Sequence, residues 1–97
     1  MRIIARKALR EYGLNNDDAK KELDAWFAEA SHADWKTPIE VKQSYGSASI
    51  LKCGRVVFNV CGNKHRLVVY IRYDLGIVFI RFIGTHAEYD KIDAETV

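Results

Sequence analysis

The residues best suited to chemistry lie in the last third of the chain, around two segments with the alternating pattern of β-strands. The first segment carries Arg66 and Arg72, and the second carries Arg81 and runs into Thr85-His86-Ala87-Glu88-Tyr89-Asp90. Guanidinium groups bind phosphate oxygens through paired hydrogen bonds, and an imidazole transfers protons near neutral pH. This pattern predicts an RNA site. Its polar residues are Asn59, Asn63, Lys64, Arg66, Arg72, Arg81, His86 and Tyr89.

Alternation along the middle strand predicts which side chains face RNA. Leu67, Val69, Ile71 and Tyr73 form the more apolar face, so we expect that face to be core. The opposite face is expected to be open. It carries Arg66, Val68, Tyr70 and Arg72.

The position of Arg81 depends on the register of the following hairpin. A two-residue Leu75-Gly76 loop would place Arg81 opposite Tyr70, on the open face, whereas a one-residue slip would turn it to the other side. The alternative for any single arginine is a solvated strand residue that shields a sheet edge.

The segment after the last strand offers acid–base groups. His86 suits proton transfer, Tyr89 suits stacking on a base, and Glu88 or Asp90 can orient either. The alternative for the two carboxylates is a helix start with acids in its first turn. No metal site is predicted, because His86, Glu88 and Asp90 lack a second ligand cluster.

Upstream, Gly62-Asn63-Lys64 is too short for a phosphate-binding P-loop and predicts a hairpin with Lys64 near the open face.

Periodicity and capping signals predict the elements that position these residues. Asn15 and Asn16 precede two acids, and Thr37 precedes a proline, as expected at helix starts. The pattern predicts one two-layer α+β domain over residues 1–97, with an antiparallel sheet packed by N-terminal helices. The first strand is expected to pair within that sheet. The predicted strands are 1–4, 56–60, 67–73 and 77–83, and the predicted helices are 6–12, 17–31 and 38–45.

Composition limits the classes of function. The net charge is only +2, but five basic residues and one acid lie between Arg55 and Arg81, whereas eight acids lie between Glu11 and Glu40. The sheet half is therefore expected to face a polyanion. No apolar run has the length of a membrane span, and the first residues do not resemble a signal peptide, so we expect a cytoplasmic protein. Cys53 and Cys61 are expected to be reduced thiols.

Together these segments resemble the HigB-type toxins of bacterial toxin–antitoxin systems, a branch of the RelE/ParE superfamily. The most specific parts are Gly-Asn-Lys-x-Arg-Leu at 62–67 and Thr-His-x-Glu-Tyr-Asp at 85–90. The resemblance spans nearly the whole chain. Its other matching stretches are residues 6–10, 23–26, 33–35, 56–60 and 79–81.

The resemblance implies a RelE-like α+β fold and ribosome-dependent cleavage of translated mRNA. It also implies neutralisation by a HigA-type helix-turn-helix antitoxin. Such enzymes usually need no metal or other cofactor, because the ribose 2′-hydroxyl attacks its own 3′-phosphate. Carried over by position, the resemblance implies catalytic roles for Arg66, His86, Tyr89 and Arg81. The RNA-binding residues expected around them are Asn63, Lys64, Tyr70 and Arg72.

Two other functions fit the same fold. One is inhibition of DNA gyrase without nuclease activity, as in ParE-like members of the superfamily. The other is a plain RNA- or ribosome-binding module that uses its arginines for affinity alone. His86 and Tyr89 favour nuclease chemistry over both, because function lies in the site rather than the fold.

Overall fold

Five strands form one mixed sheet in the computed structural model, which describes residues 1–97. The strand order is β1-β5-β4-β3-β2. The strands are β1 (Arg2–Ile4), β2 (Ser49–Ile50), β3 (Arg55–Val60), β4 (His65–Arg72) and β5 (Ile77–Thr85). The helices are α1 (Arg6–Asn15), α2 (Asp17–His32), α3 (Pro38–Ser44) and α4 (His86–Tyr89). This is the α+β domain that the sequence predicts.

The sheet differs in two ways from the expected antiparallel meander. The first strand does find a partner, but β1 pairs parallel to β5, so the sheet is mixed. In addition, the two-residue strand β2 pairs with β3 and occupies the opposite edge. Two residues are too few to show a strand pattern, so β2 could not be predicted from periodicity.

The main core lies between the sheet and the helices α1 and α2. The predicted apolar stripe of α2 is buried there, with Leu23 and Trp26 only 2% and 4% exposed. Trp26 packs edge-on against Phe58 of β3, with 5.4 Å between ring centroids. Leu67, Val69 and Ile71 of β4 complete this layer, so the predicted core face of the middle strand is confirmed.

Helix α1 is longer than predicted. It was predicted over residues 6–12, with the next residue, Gly13, as its end, but it continues through Gly13 to Asn15. Gly13 is buried against α2, and a Cβ at this position would lie 3.3 Å from Cγ of Lys20. The glycine therefore permits close packing of two helices and does not terminate the first one.

The expected open face of the sheet is covered in its middle, which corrects the prediction. The segment after α4 folds back over this face, and Ala94 forms a second small core with Val57 and Val68. Val68 is fully buried as a result. Alternation predicted the direction in which Val68 points, but a covering segment of mixed composition carried no comparable signal.

Two further expectations concern helices and cysteines. Thr37 caps α3 by accepting a hydrogen bond from the Glu40 backbone, as predicted, whereas the side chain of Asn16 makes no capping bond to α2. Cys53 and Cys61 are both free thiols, as expected. None of the helices is both long enough and apolar enough to cross a bilayer.

Candidate active site

Two sequence motifs about twenty residues apart meet at one end of the sheet. Thr85, the last residue of β5, lies opposite His65, the first residue of β4. The backbone N–H of His86 then donates to the carbonyl of Lys64, with 2.9 Å between the atoms. The β3–β4 turn and helix α4 are thereby joined. They bring together what we call the Arg66 cluster: Asn63, Lys64, Arg66, His86 and Tyr89.

Arg66 is the best-positioned cation of this cluster. Its Nη2 donates to Oδ1 of Asn63 at 3.3 Å and its Nη1 donates to the carbonyl of His65 at 3.2 Å. Its Cζ lies 5.9 Å from the ring centroid of Tyr89, at the outer limit of a cation–π contact. All of these partners are uncharged. The positive charge of Arg66 is therefore oriented but left uncompensated, as a phosphate-binding guanidinium requires.

A capping box holds α4 in place. The side chain of Thr85 accepts from the Glu88 backbone, and the Glu88 carboxylate accepts from the Thr85 backbone at 2.8 Å. That backbone hydrogen bond lowers the pKa of Glu88. Glu88 therefore has the helix-start role that was the alternative to a functional one. The cap sets the direction from which His86 and Tyr89 project.

His86 is oriented by a carboxylate one turn further along. Its Nδ1 lies 3.0 Å from Oδ2 of Asp90, and both side chains are at least half exposed. One ring nitrogen is thus held, while Nε2 faces away from this pair. This is the arrangement of a proton-transfer imidazole whose tautomer is set by an acidic neighbour.

Arg81 lies outside the Arg66 cluster and does not oppose Tyr70, because the hairpin does not have the expected two-residue loop. Arg72 pairs with Ile77 and Tyr70 with Phe79, so the turn spans residues 73–76. A β-bulge then leaves Arg81 as the extra residue between Ile80, which pairs with Val69, and Phe82, which pairs with Val68. From the position opposite Arg66, Arg81 is three residues back along β5, or about 10 Å. Its Nε donates to the Val97 oxygen at 3.1 Å, and Nη1 of Arg55 donates to the same oxygen at 2.6 Å.

Tyr70 and Arg72 lie further away along β4. Arg72 is six residues from Arg66, or about 20 Å along an extended strand. It donates twice to Asp74, at 3.0 and 2.8 Å, and this pairing lowers the pKa of Asp74. Tyr70 stacks on Phe79, with ring centroids 5.8 Å apart. The structure therefore does not bring these two predicted RNA-binding residues to the Arg66 cluster.

A buried polar chain behind the cluster was not predicted. His65 is 4% exposed and faces the helices. Its Nδ1 lies 2.7 Å from the hydroxyl of Tyr12, and its Nε2 lies 2.9 Å from Oδ2 of Asp18. The hydrogen bond from His65 lowers the pKa of Asp18, and burial raises the pKa of Tyr12. This chain ties the start of β4, and thus the residues on either side of His65, to both long helices.

The burial of His65 on the core face could have been predicted from the alternation of β4. His65 shares its parity with Leu67, Val69 and Ile71, so it belongs to the core face. A buried histidine needs polar partners for both ring nitrogens. Its partners Tyr12 and Asp18 lie on helices at no recognisable spacing, and no sequence signal identifies them.

Only one group of residues in the structure brings three potential metal ligands together. It consists of Asp18, Cys61 and His65, behind the β3–β4 turn. The three candidates weighed from sequence, His86, Glu88 and Asp90, do not form such a group. Glu88 is engaged in the helix cap, and His86 faces Asp90 alone.

The Arg66 cluster is an exposed surface and not a pocket. Three cavities are present, and none is lined by a member of the cluster. Lys64 and His86 are exposed, whereas Arg66 and Tyr89 are half-buried. The surface offers one oriented cation in Arg66, an exposed second cation in Lys64, an oriented imidazole and an aromatic ring. It can hold a phosphodiester and move a proton, but it cannot enclose a substrate.

The fold is a small α+β domain of the RelE-like type, and the sequence matches a family of that type. The family is described as HigB toxin, RelE-like toxic component of a toxin-antitoxin system, and the match covers residues 19–92. That span exceeds half of the chain and includes the entire Arg66 cluster. The chain belongs to the HigB toxin family.

Individual relatives give the same result over nearly the full length. The mRNA interferase toxin HigB of Escherichia coli strain K12 is 32% identical, over 97% of this chain and 92% of the relative. The mRNA interferase HigB of Shigella flexneri matches with the same values. A protein of the same name from Escherichia coli O6:H1 is 27% identical, over 95% of this chain and 91% of the relative.

Proposed function

We propose that this protein is the toxin of a toxin–antitoxin system and acts as an endoribonuclease on mRNA. Family membership and the names of the relatives support this function. The observation that carries it is the environment of Arg66. Its guanidinium is oriented by two neutral acceptors, beside an aromatic ring and within the same cluster as a carboxylate-held imidazole.

The proposed reaction is attack of a ribose 2′-hydroxyl on the adjacent 3′-phosphate. It leaves a cyclic phosphate and a free 5′-hydroxyl, and it needs a base, an acid and a group that stabilises the extra negative charge. We assign charge stabilisation to Arg66 and one of the two proton transfers to His86. Tyr89 is assigned to base stacking or to the leaving-group side.

The other predicted residues have supporting parts in this proposal. Lys64 and Asn63 bind the sugar–phosphate backbone of the RNA beside Arg66, since both lie in the adjoining turn. Arg81 is a second phosphate contact, which becomes available when the Val97 oxygen releases it. Tyr70 and Arg72 contact RNA only if the bound RNA extends along β4 for several nucleotides beyond the Arg66 cluster.

We propose that the ribosome completes the site. The Arg66 cluster is open, and its one imidazole cannot act as both the acid and the base of the reaction in the same step. An enzyme without a pocket has little means of holding a flexible RNA in line for attack. A large assembly that presents the message in a fixed conformation would provide the missing constraint.

The proposed partner in the cell is an antitoxin of the HigA type, with a helix-turn-helix domain, and the proposed location is the cytoplasm. A toxin family implies an antitoxin. Two exposed apolar side chains, Ile39 and Ile50, line the same cavity and offer contacts for such a partner. Leu14 and Leu75 are also exposed.

The test is a cell-free translation reaction with the purified protein. Message 5′ ends are mapped by primer extension, and the same message is incubated without ribosomes in parallel. We expect new 5′ ends within the translated region, only when ribosomes are present. Cuts in both reactions would show a nuclease that does not need the ribosome. Intact message in both would contradict the nuclease proposal and favour gyrase inhibition or plain RNA binding.

A further inference from the structure

The group formed by Asp18, Cys61 and His65 has no part in the proposed reaction. These residues lie on the helix side of the sheet, behind the β3–β4 turn, whereas Arg66 points to the opposite face. One carboxylate oxygen, the thiol sulfur and one imidazole nitrogen all lie within 4.8 Å of one another. Imidazole, thiolate and carboxylate together are the donor set of zinc sites.

His65 is oriented as a metal-binding histidine usually is. Its Nε2 faces the group, 2.9 Å from Oδ2 of Asp18. Its Nδ1 is engaged from behind by the hydroxyl of Tyr12 at 2.7 Å. Histidine ligands typically use their second nitrogen in such a bond, because it fixes both the ring orientation and the tautomer. The side chain is 4% exposed, so it has little freedom to turn away.

The other ligands come from helix α2 and from the β3–β4 turn that faces it. Cys61 precedes His65 by four residues, across the turn, and its Sγ lies 2.8 Å from the carbonyl of Asp18. Glu22 lies one helical turn after Asp18, and its carboxylate accepts from the Cys61 backbone at 2.7 Å. Two positions on α2 thus face two positions at the start and end of the turn. Glu22 or a water molecule is available as a fourth ligand.

We propose that this protein binds one zinc ion through Asp18, Cys61 and His65. Tetrahedral coordination places nitrogen and oxygen ligands about 3.3 Å apart. The present separation of Nε2 and Oδ2 is a few tenths of an ångström shorter. Binding replaces the hydrogen bond between them: the proton on Nε2 is exchanged through solvent for one on Nδ1, which then donates to the Tyr12 hydroxyl, and the proton of the Cys61 thiol leaves to solvent. The thiol and the imidazole select zinc over the oxygen-preferring Mg²⁺ and Ca²⁺.

The ion would act on the fold and not on the RNA. It would join α2 to the turn that carries Asn63 and Lys64, and so restrict the motion of the residues next to Arg66. Any ligand that binds only the folded state raises its stability, so zinc is expected to raise the melting temperature. The inference does not depend on the proposed nuclease activity, and neither result decides the other.

The experiment measures metal binding to the full chain after treatment with a chelator. Zinc is titrated calorimetrically, and Co²⁺ serves as a spectroscopic substitute. We expect one ion per chain and a cobalt spectrum with a thiolate charge-transfer band. Cys61→Ser should weaken zinc binding by at least about 100-fold and abolish that band, and Tyr12→Phe should weaken binding by about 10-fold.

Cys53→Ser is the matched control, because Cys53 is the other free thiol and lies outside this group. It should bind zinc as the wild type does. Failure of the wild-type chain to bind zinc would overturn the proposal, and so would equal affinity in Cys61→Ser. An equal loss in Cys53→Ser would also overturn it. If Cys61→Ser fails to fold, Asp18→Asn provides the second test, since this side chain is 47% exposed.

Discussion

At the level of single residues, the arginines of the last three strands differ in the groups to which they donate. Arg72 is paired with Asp74 through two short hydrogen bonds. Arg55 and Arg81 share the oxygen of Val97. Arg66 donates only to a backbone carbonyl and a side-chain amide. Arg66 combines the lack of a carboxylate partner with a position beside the Tyr89 ring and in the same cluster as His86, which is why the proposal centres on it.

Arg66→Ala should lower the rate of mRNA cleavage by roughly 100-fold or more. This is the loss expected when a group that stabilises transition-state charge is removed. The side chain makes two polar contacts at the surface, so the fold should survive, and the circular dichroism spectrum should not change. The measurement is the rate at which new 5′ ends form during cell-free translation. Arg10→Ala, on the exposed face of α1, is the control for loss of one positive charge, and near-normal cleavage by Arg66→Ala would remove Arg66 from the site.

His86→Gln tests proton transfer. Glutamine keeps a polar side chain but does not titrate, so the variant should lose roughly 100-fold in rate and lose the pH dependence that an imidazole confers. The cleavage rate is measured across the neutral pH range for both proteins. Asp90→Asn should show a smaller loss, because it weakens the orientation of the ring and leaves the ring itself. A variant that is slow but keeps the wild-type pH profile would exclude His86 as the titrating group.

At the level of elements, helix α4 has a cap that serves the site. It has only four residues and does not form a helix by intrinsic propensity. Thr85→Ala should therefore destabilise the domain by about 1 kcal/mol, as for other N-cap losses, and should also reduce mRNA cleavage by displacing His86 and Tyr89. Unfolding in urea and the cleavage assay measure the two effects.

Thr37 offers a matched control for this prediction. It caps α3 through the same kind of bond, but it lies on the helix layer, away from the Arg66 cluster. Thr37→Ala should cost a similar free energy of unfolding and leave cleavage unchanged. If the two variants reduced cleavage equally, the effect would be one of stability, and α4 would have no special part in the site.

The strong hydrophobic periodicity of the sequence predicted most elements correctly. The stripe of α2 and the alternation of β3 to β5 follow from burial of one face, which a pattern records directly. The bulge at Arg81, the strand β2 and the parallel pairing of β1 were not predicted. Each depends on how separate segments meet, and in particular on the shift of register between Val68 and Val69. Period and composition contain no information on such a shift.

The candidate site could be predicted where it depends on one hairpin. The motif at 62–67 lies at the start of β4 and the motif at 85–90 follows the end of β5, so pairing of these two strands brings the motifs together. Tyr70 and Arg72 share a face with Arg66, but strand spacing separates them from it. The partners of His65 could not be predicted, because Tyr12 and Asp18 lie on helices whose packing against β4 has no sequence motif.

At the level of the whole molecule, the helix layer and the sheet are joined near the site by a titratable contact. The bond between Asp18 and His65 links α2 to β4. Because that bond holds the pKa of Asp18 below its ordinary value of 3.8, the unfolded chain binds a proton at this position more readily than the folded one. The stabilisation is therefore complete above that value, and it is lost as the pH falls towards the folded pKa.

Asp18→Asn should consequently lower stability near pH 6 and make stability less sensitive to acid. We expect the urea midpoints of the variant and the wild type to differ at pH 6 and to converge as the pH falls well below 3.8, with a chelator present throughout to exclude metal binding. Asp74→Asn is the control, since the pKa of Asp74 is also lowered, but by Arg72 within a single hairpin. Its loss should not weaken the contact between layers, so its cleavage activity should match the wild type, whereas Asp18→Asn should loosen the start of β4 and lower cleavage. Parallel midpoints for Asp18→Asn and the wild type across this pH range would show that the bond between Asp18 and His65 does not stabilise the fold.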